Sequence, residues 1–394
     1  MEFRLNEEQR AWQMIARKFA EDEIRKISVA RDAIEDPRAT FDWEIIRKGS
    51  ELGLRTLGVP KVWGGPEVDF TTQAVVMAEL ARGDSAIAKT FSQCWKWCHL
   101  IMDRCTPEQQ ERYLKPFIAD HAFVLGGGIT EPNAGSDNRL PPLDAPKTGL
   151  RLSGVADGDG WRLNGEKCFI ANANIAKLIF VFTRTNPEVA VRQGTTIFAV
   201  QMPHEGVRVG KVFNKDGWRF YQNAELIFEN ARVAQTDMMG KLHGAMSHHG
   251  GKNAKFAELE YSANAVGVCD AAVEMAMRHA RSETRGGRPL ADQQTVQLQL
   301  SEMNMVTEAL RSFMLRVATE SDDEGDEHFA HSHFLMNFAT EAIQRVCNLN
   351  QVIHGYADGR ASAAADKLVR DAIIWTHIAG DAVQKMKAVS FLLK

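Results

Sequence analysis

Residues 126 to 139, GGGITEPNAGSDNR, place four glycines, a proline and several small polar side chains directly behind a strand-like FVL. A loop so bare can expose backbone N–H groups. With the hydroxyls of Thr130 and Ser136, these can hold an anion or the polar edge of a heterocycle without side-chain bulk in the way. The bland alternative is a surface turn. The spacing fits neither the Gly-x-Gly-x-x-Gly dinucleotide pattern nor the P-loop. Cys94, Cys98 and Cys105 return to nearly one helical face and raise a metal reading. That spacing matches no usual zinc pattern, so a stripe of buried thiols is expected and no metal. His248 and His249, in GAMSHHGG, can donate or accept protons as neutral imidazoles; incidental loop histidines are the alternative.

The elements that must position these residues change character twice along the chain. LNEEQRAWQMIARKFAEDEIRKI and the run from residue 71 to 105 carry apolar residues at helical spacing, joined by a Gly- and Pro-containing loop, VPKVWGGPEVD. From about Phe123 the segments become short, rich in β-branched and aromatic residues, and broken by Gly, Asn and Asp. Beyond about Gly240 four long helical patterns follow, two of them separated by an acidic stretch at 321 to 328 that reads as a solvated loop. The expected fold is mainly α with a central β domain: an all-α domain over 1–122, a β domain over 123–236 and a four-helix bundle over 237–394. The wide apolar faces of the last helices predict a subunit interface.

Composition agrees with a large globular chain. Of 394 residues 44% are hydrophobic and 25% charged, and the net charge is −4. No clustered Lys and Arg point to nucleic acid. The opening MEFRLNEEQR is too charged for a signal peptide, no apolar run approaches a membrane span, and six cysteines form no disulfide framework, so a cytoplasmic setting is expected.

TEPNAGSD at 130 to 137 resembles the signature loop of the acyl-CoA dehydrogenase superfamily. VPKVWGG at 59 to 65, NGEKCFIANA at 164 to 173, AELIFENARV at 224 to 233, the helix around NAVGVCDAAVEMA, GRPLADQQ at 287 to 294 and LVRDAIIW at 368 to 375 look like further landmarks in family order. The resemblance spans nearly the whole chain. It implies the helical, β and helical domains of that superfamily, with a β-barrel in the middle, an FAD cofactor and a homotetramer in which a neighbour completes the FAD site. By the same resemblance Ile129, Thr130, Gly135 and Ser136 contact flavin and pyrophosphate. Phe169 stands for the usual flavin-covering Trp, Ala171 for the Thr that bonds flavin N5, and Gln351 and Gly355 for the segment reaching a neighbour's adenine. Arg281 and Arg285 remain near a degraded RxxFG segment to meet a pyrophosphate.

The departures concern the chemistry. The family's usual catalytic Glu falls on Ala379, and the alternative position used by a subset falls on Ala257. Neither can take a proton, and general-base catalysis contributes roughly a hundred- to ten-thousandfold. Glu260, three residues after Ala257, and Asp381, two after Ala379, are the replacement candidates; ion-paired or solvated acids are the alternative. Glu258 stands where the family has an Arg near the substrate, a reversed charge, and His248 and His249 border the same region. The resemblance therefore implies an oxidoreductase on an acyl-CoA or related thioester, passing electrons to a protein partner or oxygen. The alternatives are an oxidase, monooxygenase or desulfinase on another substrate, and a degenerate subunit completing a partner's FAD site.

Overall fold

The structure, a computed structural model, describes residues 4–135, 149–246, 251–323, 328–355, 360–378 and 381–393. A capping box between Asn6 and Gln9 starts α1 (Glu7–Phe19), which runs through a π turn (Ala20–Ile24) into α2 (Arg25–Asp32). Asp42 caps α3 (Trp43–Glu51). The helical run from 71 to 105 is divided into α4 (Phe70–Gly83) and α5 (Ser85–Arg104). The break falls at Asp84, which turns extended and accepts from the N–H groups of Ala86 and Ile87. Such a cap contributes about 1 kcal/mol. Thr106 and Gln109 form a second capping box on α6 (Pro107–Ala119).

The central domain holds β1 (Leu125–Gly128), β2 (Ser153–Asp157), β3 (Gly160–Ala171), β4 (Leu178–Arg184), one turn of α7 (Val191–Gly194), β5 (Thr195–Gln201), β6 (Val207–Val212), β7 (Asn223–Ala234) and β8 (Met238–Met239). Their order is β6-β7-β3-β1-β4-β5-β8, with β2 beside β3 and β4. The expected barrel is corrected here. The sheet is open, because β6 pairs only with β7 and β8 only with β5. Its last strand, Met238–Met239, pairs with β5 just past residue 236.

The glycines at 126 to 128, expected in the loop, lie inside β1, which runs parallel to β4 with Gly127 opposite Phe180. Close packing explains Gly127: a Cβ there would sit 1.8 Å from Cζ2 of the Trp97 indole. The bare loop therefore begins only at Ile129.

The C-terminal domain is helical as expected. It comprises α8 (Lys252–Ser282), a short hairpin of β9 (Thr284–Arg285) and β10 (Arg288–Pro289), α9 (Gln294–Asp322) and α10 (His328–His354). The fourth expected helix is three: α11 (Arg360–Ile373), α12 (Trp375–Ile378) and α13 (Asp381–Leu392). α8 crosses α4 so closely that a Cβ on Gly267 would meet the Ala78 carbonyl at 2.0 Å. The acidic stretch is not simply solvated. Asp322 ends α9 and accepts from the Phe70 and Thr71 N–H groups at 2.6 and 3.1 Å, closing the first turn of α4 together with Asp69. Among the described residues no helix is long and apolar enough to cross a membrane.

Candidate functional site

The loop after β1 is fastened from below. Lys167 on β3 donates to the Ile129 carbonyl at 3.0 Å and to Glu131 Oε1 at 2.7 Å, while Glu131 also accepts from the N–H groups of Arg151 and Leu152. Lys167 is wholly buried. Burial lowers its ammonium to about 8 and Glu131 opposes that shift. Cys168 N–H donates to the Thr130 carbonyl, and Glu131 and Ala134 exchange backbone hydrogen bonds across a tight turn. Ile129, Thr130 and Gly135 are thereby held half-buried at the exit of the strand. Ser136 lies outside the described residues.

β3 supplies the facing side of this exit. Its pairing with β7 slips between Lys167 and Ile170, two β3 residues facing one on β7, and Phe169 takes φ +54° at that bulge. The bulge re-aims the side chain. Phe169 is 56% exposed, stacks on Phe213 at 4.0 Å between centroids, and offers its carbonyl to Asn223 Nδ2 at 2.9 Å. Ala171 pairs with Gly127. Ile129, Thr130, Phe169 and Ala171 thus meet where β1 and β3 adjoin. A tethered loop with backbone groups, and an aromatic ring turned outward beside it, fit the polar edge and flat face of a flavin.

Arg281, Arg285, Gln351 and Gly355 form a separate group. Both arginines are exposed at the end of α8 and in β9. Gln351 Nε2 donates to the Gly355 carbonyl at 3.0 Å, its buried Oε1 has no partner, and a Cβ on Gly355 would lie 3.5 Å from Arg285 Nη2. Arg281 is 21 residues beyond Glu260 on one helix, about 30 Å at 1.5 Å per residue.

The acids on α8 diverge. Two residues apart, Glu258 and Glu260 point about 200° from one another. Glu258 is buried toward α10 and α13, accepting from Gln384 Nε2 at 3.2 Å with His333 Nδ1 and Lys387 Nζ each at 3.6 Å. Glu260 is fully buried against α5: Lys89 Nζ lies 2.6 Å from its Oε2, Ser92 Oγ donates to Oε2 at 3.0 Å, and Lys96 Nζ donates to Oε1 at 3.2 Å. Both its oxygens are engaged. Ala257 is half-buried. Asp381 opens α13, but its side chain, like Ala379, His248 and His249, lies outside the described residues.

Sequence reasoning missed the partners of these acids. Lys89, Ser92, Gln93 and Lys96 form a polar stripe at helical spacing in an otherwise apolar, buried helix, and that was the available signal. Tyr221 donates to Gln93 Oε1 at 2.9 Å, and the Tyr261 ring receives Lys89 Nζ at 4.3 Å from its centroid. Lys215 donates to the Tyr221 carbonyl and to Asn223 Oδ1, and burial brings its ammonium down to about 7. Lys367 lies between Asp84 and Asp371, at 2.9 and 2.6 Å, and Asp371 accepts from the Trp218 N–H. Lys367 therefore ties α11 to the cap of α5, and Asp371, within the 368 to 375 landmark, ties it to the segment before β7. Of the cysteines, Cys94 and Cys98 are buried and Cys105 is half-buried. Among the described residues no three His, Cys, Asp or Glu side chains are placed to hold a metal ion.

Residues 6–121, 126–231 and 255–387 match the N-terminal, middle and C-terminal domains of acyl-CoA dehydrogenase. The chain is 30% identical over 386 residues to a 3-(aryl)acrylate reductase of Clostridium sporogenes, covering 96% of this chain and 97% of that one. It is 29% identical to an acryloyl-CoA reductase (NADH) of Anaerotignum propionicum, covering 95% and 91%. Butyryl-CoA dehydrogenase of Megasphaera elsdenii superimposes with a TM-score of 0.90 at 25% identity, each chain covered in full. The tethered loop and outward aromatic ring thus stand in a fold and a sequence that agree along the full chain: this protein belongs to the acyl-CoA dehydrogenase family, a family of FAD-binding flavoproteins.

Proposed function

We propose that the protein is an FAD-dependent oxidoreductase acting on the Cα–Cβ bond of an acyl-CoA or related acyl thioester. The observation that carries this reading is the meeting of Ile129, Thr130, Phe169 and Ala171 at the joined ends of β1 and β3, where a flavin ring has both a backbone edge and an aromatic face to rest on. FAD, when bound, supplies the acceptor for the β-hydrogen as hydride. The chain's own residues orient the ring and exclude water from it. Ala171 has no hydroxyl to offer, which costs one hydrogen bond of about 0.5–1.5 kcal/mol.

Removal of the α-proton needs a free acceptor, and Glu260, ion-paired to Lys89 and accepting from Ser92 and Lys96, is not one. The two reductases among the relatives favour a second direction for the same chemistry, reduction of an α,β-unsaturated acyl group, which needs a proton donor at Cα in place of the acceptor. An electron-transferring protein partner suits either direction. The 30 Å between Glu260 and Arg281 along α8 supports a flavin site completed by a second copy, as in a homotetramer. An oxidase, monooxygenase or desulfinase would instead consume oxygen with reduced flavin, and a degenerate subunit would purify without flavin.

The test is the visible spectrum and flavin content of the purified protein, followed by anaerobic addition of saturated and unsaturated acyl-CoAs to oxidised and reduced samples. Bleaching by a saturated thioester, or reoxidation by an unsaturated one, is the expected outcome. Bound flavin indifferent to both sinks the reading.

A further inference from the structure

The aromatic face of the flavin shelf depends on bonds outside the strand ladder. Phe169 sits at the β3 bulge with φ +54°, a left-handed backbone that a bulky side chain rarely adopts and that its surroundings must hold. Asn223, at the start of β7, holds it in two ways. Its Nδ2 donates to the Phe169 carbonyl at 2.9 Å, and its own carbonyl accepts from the N–H of Phe213, the residue on which the Phe169 ring stacks.

Asn223 can do this with its amide only one way round, since Oδ1 turned to the Phe169 carbonyl would set two acceptors face to face. Lys215 decides between the two. Its ammonium can only donate, and it takes Asn223 Oδ1 at 2.5 Å, which leaves Nδ2 for Phe169. Lys215 is half-buried, and a charge-assisted bond of this kind is stronger than a neutral one. The segment between β6 and β7 has other anchors: Trp218 N–H donates to Asp371 at 2.7 Å, Gln222 to the Pro37 carbonyl at 2.9 Å, and Arg219 to the carbonyls of Lys215 and Ile34. The ammonium is therefore not what keeps that segment in place.

We propose that Lys215 and Asn223 are positioning residues for the flavin: Lys215 fixes the orientation of the Asn223 amide, and the amide fixes the Phe169 ring in the attitude the flavin meets. The inference rests on the reading of Phe169 as the flavin's aromatic face. Neither residue has to touch the flavin. Asn223→Asp separates this role from a merely structural one, because a carboxylate keeps the shape and pairs more strongly with Lys215 while turning an acceptor toward the Phe169 carbonyl.

The full-length protein and its variants are titrated with FAD, reading Kd from flavin fluorescence and the surroundings of the ring from the circular dichroism of the bound flavin band at saturation. Asn223→Asp and Lys215→Met are each expected to raise the Kd about threefold to tenfold, the range one hydrogen bond spans, and to change the dichroic band. In a Phe169→Ala background the same two substitutions should leave the Kd unchanged. A folded variant of either kind that keeps the unaltered Kd overturns the inference, as does a loss that persists undiminished in the Phe169→Ala background. If one of the two variants does not fold, the other decides. Unchanged FAD affinity in Phe169→Ala itself overturns the reading of the shelf.

Discussion

The Phe169 ring lies on Phe213 at 4.0 Å between centroids and 18° between planes, and a left-handed backbone at Phe169 holds it there. One face of Phe169 is thus supported and the residue stays more than half exposed. Aromatic stacks contribute about 0.5–1.5 kcal/mol. Phe169→Ala is expected to weaken FAD binding by up to about tenfold and Phe169→Trp to preserve it, as read by quenching of flavin fluorescence. Unchanged affinity in the alanine variant would remove Phe169 from the flavin contact.

Glu260 is expected to matter first to stability. Removing one partner from a buried ion pair costs about 3–5 kcal/mol because the other charge is stranded, so Glu260→Ala should lower the unfolding free energy by that amount. The double variant Lys89→Met with Glu260→Gln should lose less than Glu260→Ala alone. Denaturant melts measure both, and a fully stable Glu260→Ala protein would contradict the geometry.

Gly127 faces the Trp97 indole with no room for a methyl group. Gly127→Ala is expected to cost about 1–3 kcal/mol or more through overpacking and to loosen the flavin loop that leaves the same strand. Adding Trp97→Leu should restore part of both. Thermal melting and flavin content provide the two readouts.

His99 contributes a pH dependence whose direction is fixed by burial. Burial, with a smaller effect from Lys252, lowers its imidazole to about 3, while its Nε2 donates to Gln73 Oε1 at 2.9 Å and the ring packs on Phe256. The native protein keeps His99 neutral, whereas the unfolded chain protonates it below about 6.5. Stability is therefore lost as pH falls from about 6.5, at up to about 1.4 kcal/mol per unit. Between pH 7 and 5.5 the unaltered protein should lose about 1 kcal/mol more than His99→Gln. Parallel slopes would show that His99 takes up its proton as readily in the native protein as in the unfolded chain, against the burial argument.

What the sequence made legible follows from the range of the interactions. Helices and strands appeared because their caps and periodicities are local: Asn6 with Gln9, or the alternation in β7. The flavin loop was visible as a run of small residues. The Phe169 bulge was not, because it depends on register against β7, some sixty residues later. Whether Glu260 was catalytic or ion-paired could not be read, because its partners, Lys89 and Lys96, lie more than 160 residues earlier. The open edges of the sheet were equally hidden, since short strands with turns read the same in a barrel.

The cap that Asp322 places on α4 has a consequence for the order in which the chain acquires structure. The N–H groups of Phe70 and Thr71 wait for a carboxylate some 250 residues downstream, and the flank of α4 that meets Gly267 waits for α8. During synthesis the amino-terminal segment emerges long before either partner. Its helices can form and pack on one another, but the first turn of α4 and its α8-facing flank stay open until the last third of the chain has left the ribosome. Non-local closure of this kind slows folding and leaves apolar faces uncovered in the interval. The amino-terminal domain thus has α4 completed only when the carboxy-terminal helices arrive.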